Sequence, residues 1–88
     1  MIRILISGDV QGIGFRQFIK YNAGKLDIKG WVKNLPDGRV EAMFAGDQSN
    51  INKMVESCRK GPFLAEVKGL EIEELPDQKL YSFDIIKK

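Results

Sequence analysis

Arg16 is the residue around which chemistry in this chain can be built, because three glycines, Gly8, Gly12 and Gly14, crowd just ahead of it in the stretch SGDVQGIGFRQF, Ser7 to Phe18. Glycine reaches backbone conformations closed to residues with a Cβ, so successive amide N–H groups of such a loop can turn toward one point and form an anion-binding nest. A helix starting near Phe15 adds its unpaired N-terminal amides and the positive end of its dipole, and Arg16 in the first turn adds a permanent fork of donors. Phosphate matches every part of that arrangement. The plainer alternative, a tight turn beside an ordinary solvated arginine, needs one or two special residues and not a loop of this length.

The chemistry that is missing narrows the ligand. There is no Gly-Lys-Ser/Thr ending of a nucleotide-triphosphate loop, and Gln17 stands where a dinucleotide fingerprint wants its third small residue. The chain has no histidine, and its one cysteine, Cys58, excludes an internal disulfide and falls on a helical apolar stripe as a core thiol. Asp9 is not followed by a second aspartate of the kind that forms an aspartyl phosphate with magnesium. No His, Cys or carboxylate cluster suggests a metal, and no cofactor is implied. A phosphate ester leaves as an alkoxide whose conjugate acid has a pKa near that of water, about 15.7, whereas a carboxylate leaving group corresponds to about 4. A site of donors and one cation therefore suits a mixed anhydride of carboxylic and phosphoric acids, an acyl phosphate, which needs no general acid.

The elements that must hold these residues follow from periodicity. Ile2, Ile4 and Ile6 alternate with Arg3, Leu5 and Ser7 as a first strand, and Phe15, Phe18, Ile19, Ala23 and Leu26 give a helix ending near Leu26 with Lys20 and Lys25 turned away. Ile28, Gly30 and Val32 form a second strand, Leu35-Pro36-Asp37-Gly38 a turn, and Val40, Ala42 and Phe44 the returning third strand. Gly46-Asp47 breaks the pattern and offers an N-cap to a helix with the stripe Ile51, Met54, Val55 and Cys58, which Gly61-Pro62 ends. A fourth strand starts near Ala65, with a bulge at Lys68-Gly69 because Val67 is out of phase with Leu70 and Ile72, and Pro76 interrupts its far end. Tyr81, Phe83 and Ile85 mark a last short strand whose sheet partner the pattern leaves open. The order predicts one domain over residues 1–88 of the α+β class: a ferredoxin-like split βαβ sandwich, an antiparallel sheet of four to five strands with two helices packed on one face.

Topology then nominates a partner for Arg16. In a split βαβ unit the first two strands run parallel with the third between them, so their C-terminal ends share a sheet edge about 9 to 10 Å apart. The glycine loop leaves one and Asn34 ends the other. A carboxamide offers both donor and acceptor and can hold a water in line with a phosphate in the loop, though it is no base, which leaves the proton to a phosphate oxygen or bulk water. Asparagine before Pro-Asp-Gly more simply caps its own turn; the shared edge with Arg16 favours the water.

Bulk properties exclude other classes. Fourteen basic and 12 acidic residues leave a net charge of +2 with neither sign gathered into a long block, so no pull toward nucleic acid or anionic membrane is visible. No run reads as a membrane helix or a signal sequence, and the expected location is the cytoplasm. A single-stranded RNA binder of this fold would stack bases on sheet aromatics, but the first strand has none, Phe44 shares the inward parity of Val40 and Ala42, and Trp31 is the sole outward candidate. A small-molecule regulatory module would tolerate Arg16 and Asn34 on one edge without requiring them.

Gly8-x-Val10-Gln11-Gly12-Ile13-Gly14-Phe15-Arg16, followed by Gly30-Trp31-Val32-x-Asn34 and Asp37-Gly38-x-Val40-Glu41, resembles the acylphosphatase family. Gly61-Pro62 with Ala65 and Val67, and Ser82-Phe83-Asp84-Ile85, are similar too, so the resemblance runs the length of the chain. It implies hydrolysis of acyl phosphates to carboxylate and phosphate without a cofactor, with Arg16 binding phosphate and Asn34 orienting the water. It also implies a cradle made by the amides of Val10, Gln11, Gly12, Ile13, Gly14, Phe15 and Arg16. The expected partners are a small-molecule acyl phosphate and inorganic phosphate, as product and inhibitor, with no nucleic acid, membrane or metal, and the protein is expected to be a monomer. Two positions depart from the family pattern: Asp9, often basic or neutral there, and Asp27, where glycine often forms a left-handed cap that aspartate tolerates at a cost of about 1 kcal/mol.

Overall fold

The alternating isoleucines form β1 (Ile2–Asp9), with Ile2, Ile4 and Ile6 buried. The structure, a computed structural model, describes residues 1–87. After β1 come α1 (Phe15–Lys25), β2 (Lys29–Asn34), β3 (Val40–Ala45), α2 (Gln48–Lys60), β4 (Glu66–Glu74) and β5 (Phe83–Ile86). The strand order is β4-β1-β3-β2-β5. Because β3 is antiparallel to both β1 and β2, those two strands run parallel and end on the same sheet edge, as the split βαβ reading requires.

Both helices lay their apolar stripes on one face of the sheet. Phe15, Ile19 and Ala23 of α1 and Ile51, Met54, Val55 and Cys58 of α2 meet the inward residues of β1, β2 and β3 in one core. Full burial of a side chain the size of Ile4 or Phe15 stabilises by about 1.5–3 kcal/mol, so this shared layer holds the helices in place. α1 ends with Asp27 in the left-handed region (φ 53), and the Ile28 N–H donates to the Ala23 carbonyl at 2.9 Å, closing the cap that glycine more often makes. Asp47 occupies the N-cap position of α2, but its side chain makes no capping hydrogen bond. Gly61 ends that helix with φ 67.

The expected bulge in β4 is present. Ser7 lies opposite Gly69 and Gly8 opposite Val67, which leaves Lys68 as the extra residue and brings both Val67 and Leu70 to the core side.

The antiparallel expectation fails at one pair, because β5 runs parallel to β2 and the five-stranded sheet is mixed. β4 finishes beside Ile2, at the end of the sheet where β1 begins, and residues 75–82 carry the chain across that end to the opposite edge. It re-enters next to Gly30, whose N–H donates to the Ser82 carbonyl at 2.9 Å, so β5 can only run the way β2 runs. Tyr81, expected within this strand, lies before it and is exposed.

Gly30 makes the central pairing possible. It is level with Phe44 of β3 on one side and Phe83 of β5 on the other, and with no side chain between them the two rings stack at 6.0 Å across β2. Its φ is +145°, and a Cβ there would lie 1.8 Å from the Met43 carbonyl oxygen.

The outer sheet face is held by charge. Glu41 is 7% exposed because β1 and β2 cover it from either side: Arg3 Nε donates to one carboxylate oxygen and Lys33 Nζ lies 3.6 Å from the other. Arg3 continues to Glu73 of β4 at 3.3 Å, so one cluster ties four strands.

Gly30→Ala should lower the free energy of unfolding by about 2–4 kcal/mol, through backbone strain and the collision with the Met43 carbonyl. Urea unfolding followed by circular dichroism would read this as a lower midpoint at unchanged slope.

Candidate active site

The loop leaving β1 is shaped by alternating backbone handedness. Gly12 (φ 78) and Gly14 (φ 82) are left-handed, while Gln11 and Ile13, which precede them, are not, since Asp27 is the sole described non-glycine residue with positive φ. Alternation of this kind turns successive N–H groups to one side and makes a concave donor surface. A Cβ at either glycine would meet no atom within 4 Å, so conformation rather than lack of room selects glycine. Gly14 is also the N-cap of α1 and has no side chain to satisfy the first-turn amides, and no acidic residue stands in that turn. The positive end of the helix dipole therefore opens uncompensated into the loop.

Apolar anchors fix the loop at its two ends. Val10 and Phe15 are buried, Phe15 meets Phe18 edge to face at 5.9 Å, and Ile13 packs partly against the core. Gln11 supplies the polar anchor: its Nε2 donates to the carbonyls of Leu35 and Arg39, each at 2.8 Å. The glycine loop is thereby tied to the turn after β2.

That turn is completed without Asn34. The Leu35 N–H donates to the Arg39 carbonyl at 2.8 Å, and Asp37 caps the Arg39 N–H at 3.0 Å while pairing with the Arg39 guanidinium. The Arg39 backbone hydrogen bond, then the guanidinium, hold the Asp37 carboxyl below its usual range. Asn34 is thus released from the turn-capping role open to it in the sequence. Its Oδ1 is buried and accepts no hydrogen bond from the described residues. Leaving such an atom unsatisfied costs about 1–3 kcal/mol, an expense that structures tolerate chiefly where a ligand or water is bound.

Arg16, half-buried on the first turn of α1, lines a cleft of about 300 Å³ together with Val10, Gly12, Gly14, Phe15, Gln17, Asn34, Ile85 and Lys87. The two residues nominated for catalysis therefore share one cavity. Five of the seven loop residues whose amides were nominated as the cradle line it, and the other two, Gln11 and Ile13, direct their side chains to the turn carbonyls and the core. Asp9 is exposed and also lies outside the cleft lining, which relieves the repulsion that a carboxylate in a phosphate loop would cause. Gln17, Ile85 and Lys87 were missed by sequence reasoning; the alternation in the last strand was visible, but its position beside β2 was not.

Among the described residues no three His, Cys, Asp or Glu side chains gather as a metal-binding group. Cys58 is buried and is not among the lining residues, and burial pushes its thiol up to about 12, so it supplies no thiolate. Among the described residues the cleft thus presents amide donors, the Arg16 guanidinium fork, the carboxamides of Asn34 and Gln17 and the Lys87 ammonium. Such a set can bind and orient an anion and a water, and among the described lining residues there is no carboxyl or imidazole to protonate a leaving group.

The chain is similar to known proteins over most of its length. The chain matches the family model described as Acylphosphatase over residues 2–85. It is 47% identical to the acylphosphatase of Rubrobacter xylanophilus over 75 residues, covering 85% of this chain and 68% of that protein. The acylphosphatase of Archaeoglobus fulgidus is 42% identical over 84 residues, covering 96% and 94%. The crystal structure of acylphosphatase from Bacillus subtilis superimposes with a TM-score of 0.93 at 34% identity, covering 97% of this chain and 96% of that one.

Gln11→Ala should cost about 1–2 kcal/mol, seen as a fall in Tm of several degrees, because two carbonyls lose their shared donor. Gln11→Glu should cost at least as much at neutral pH, since it turns a carboxylate toward the same carbonyls; thermal denaturation of the three proteins checks the order.

Proposed function

Because the chain belongs to the acylphosphatase family, we propose that it hydrolyses acyl phosphates with Arg16 and the loop amides holding the phosphoryl group and Asn34 holding the attacking water. The observation that best supports this reading is the buried, unpartnered Oδ1 of Asn34 in the same cleft as Arg16. A water donating one hydrogen to that oxygen keeps its lone pair free to face phosphorus. The phosphoryl oxygens accept hydrogen bonds from the amides around Gly12 and Gly14, from the first turn of α1 and from the Arg16 guanidinium, which restrain the group and spread its charge.

The water oxygen forms the new bond to phosphorus as the bond from phosphorus to the acyl oxygen breaks. The acyl group departs with the electron pair as a carboxylate, and the water proton passes to a phosphate oxygen or to bulk water. Donors fixed by the fold need no rearrangement as charge shifts in the transition state, and that preorganisation is the main catalytic effect. Inorganic phosphate, as product, occupies the same donors and competes with substrate. The protein acts as a single-domain monomer in this reading. Its lone, buried cysteine is in keeping with the reducing cytoplasm.

Two substitutions separate the roles. With a simple aromatic acyl phosphate as substrate, Asn34→Ala should lower kcat by about 100- to 1,000-fold with KM little changed, because a water-orienting group acts chiefly in the transition state. Arg16→Ala should weaken both binding and turnover, with a loss in kcat/KM of about 1,000-fold or more. Steady-state kinetics on folded variants, with phosphate as competitive inhibitor and a chelator without effect, checks the assignment; activity unchanged in both variants would overturn it.

A further inference from the structure

We propose that Lys87 is a second phosphoryl-binding cation of this site, delivered by the strand next to Asn34. The inference rests on the reading of the cleft as an acyl phosphate site and goes beyond it by adding a residue from the opposite wall.

The parallel register fixes where Lys87 stands. Val32 is level with Ile85 and Lys33 with Ile86, where β5 ends, and Lys87 follows directly, at the end of the sheet where Asn34 ends β2. Side chains alternate along a strand and neighbouring strands lie about 4.8 Å apart, so Phe83 and Ile85 share the helix-facing side with Val32, and Lys87, directly after the strand, lines the cleft with Asn34. Phe83 is buried, Ile85 packs against the core, and both Ile85 and Lys87 line the cleft. Lys87 itself is exposed, and its long, flexible stem lets its ammonium reach inward.

Charge balance explains what the ammonium does there. The described residues lining the cleft include two cations, Arg16 and Lys87, and no carboxylate. A phosphoryl dianion cradled against Arg16 and neutral amides retains net negative charge, and a cation on the β5 wall offsets it from the side of the bound water. Lys87 is a point charge without a required direction, so it contributes mainly to holding the dianion and not to aligning it. The effect is that of an exposed, screened pair and should fade with salt.

The test measures KM for an aromatic acyl phosphate and the inhibition constant of inorganic phosphate, at low and at high ionic strength. In Lys87→Met both constants should rise about three- to tenfold at low salt, with kcat changed by less than about twofold, and the difference should shrink at high salt. Lys87→Arg should restore both constants, and Lys87→Glu should raise them beyond Lys87→Met. Constants unmoved in Lys87→Met and Lys87→Glu, in a protein whose Arg16→Ala variant has lost phosphate affinity, would overturn the role of Lys87 and leave the site assignment standing. A fall in kcat with the phosphate constant unchanged would also overturn it. A parent that neither hydrolyses the substrate nor binds phosphate would overturn both readings together.

Discussion

The site depends on one topological constraint, the insertion of β3 between β1 and β2. Each of these strands is antiparallel to β3, so each must deliver its C-terminal end to the same edge of the sheet. The chain gains from this a loop with donors at one position and a carboxamide two strands away, although the two are well separated in sequence. β5 obeys the same rule, because its parallel pairing with β2 brings a third C-terminal end to that edge. Three strand ends converge there, and the cleft opens between them and the start of α1.

Convergence alone does not set distances, and two local interactions do. The pair of carbonyls bound by Gln11 locks the glycine loop to the turn after β2, so the elements carrying Arg16 and Asn34 are joined by hydrogen bonds and not only by the sheet. Gly30 lets the Phe44 and Phe83 rings stack across β2, which seats β5 against the core. Stacking of that kind adds about 0.5–1.5 kcal/mol beyond the burial of area. The Glu41 cluster holds the other face of the same strands, where its charges are satisfied across the register.

The cleft uses backbone where many sites use side chains. Amides aimed by Gly12 and Gly14 and by the uncapped start of α1 cannot titrate and cannot rotate away, and the arginine beside them adds a planar fork of donors. Such a set is suited to holding a phosphoryl group and a water and offers little to a poor leaving group. The match between these donors and a carboxylate leaving group is the link from structure to the family's reaction.

Much of this was legible in the sequence, and for a physical reason: periodicity and turn chemistry are local. The isoleucine alternation of β1, the stripes of both helices, the bulge at Lys68 and the glycine loop with Arg16 are each set by residues a few positions apart. Asn34 was reachable through one topological step, since a parallel pair of strands with a third between them is the usual consequence of the element order. The tertiary structure alone decided the rest. That Asp37, and not Asn34, caps the turn; that Gln11 braces the loop by its side chain; and that β5 runs parallel to β2 and brings Ile85 and Lys87 into the cleft all depend on how segments settle against one another in three dimensions. Which strand lies beside which is the deciding choice, and no local pattern of residue types encodes it.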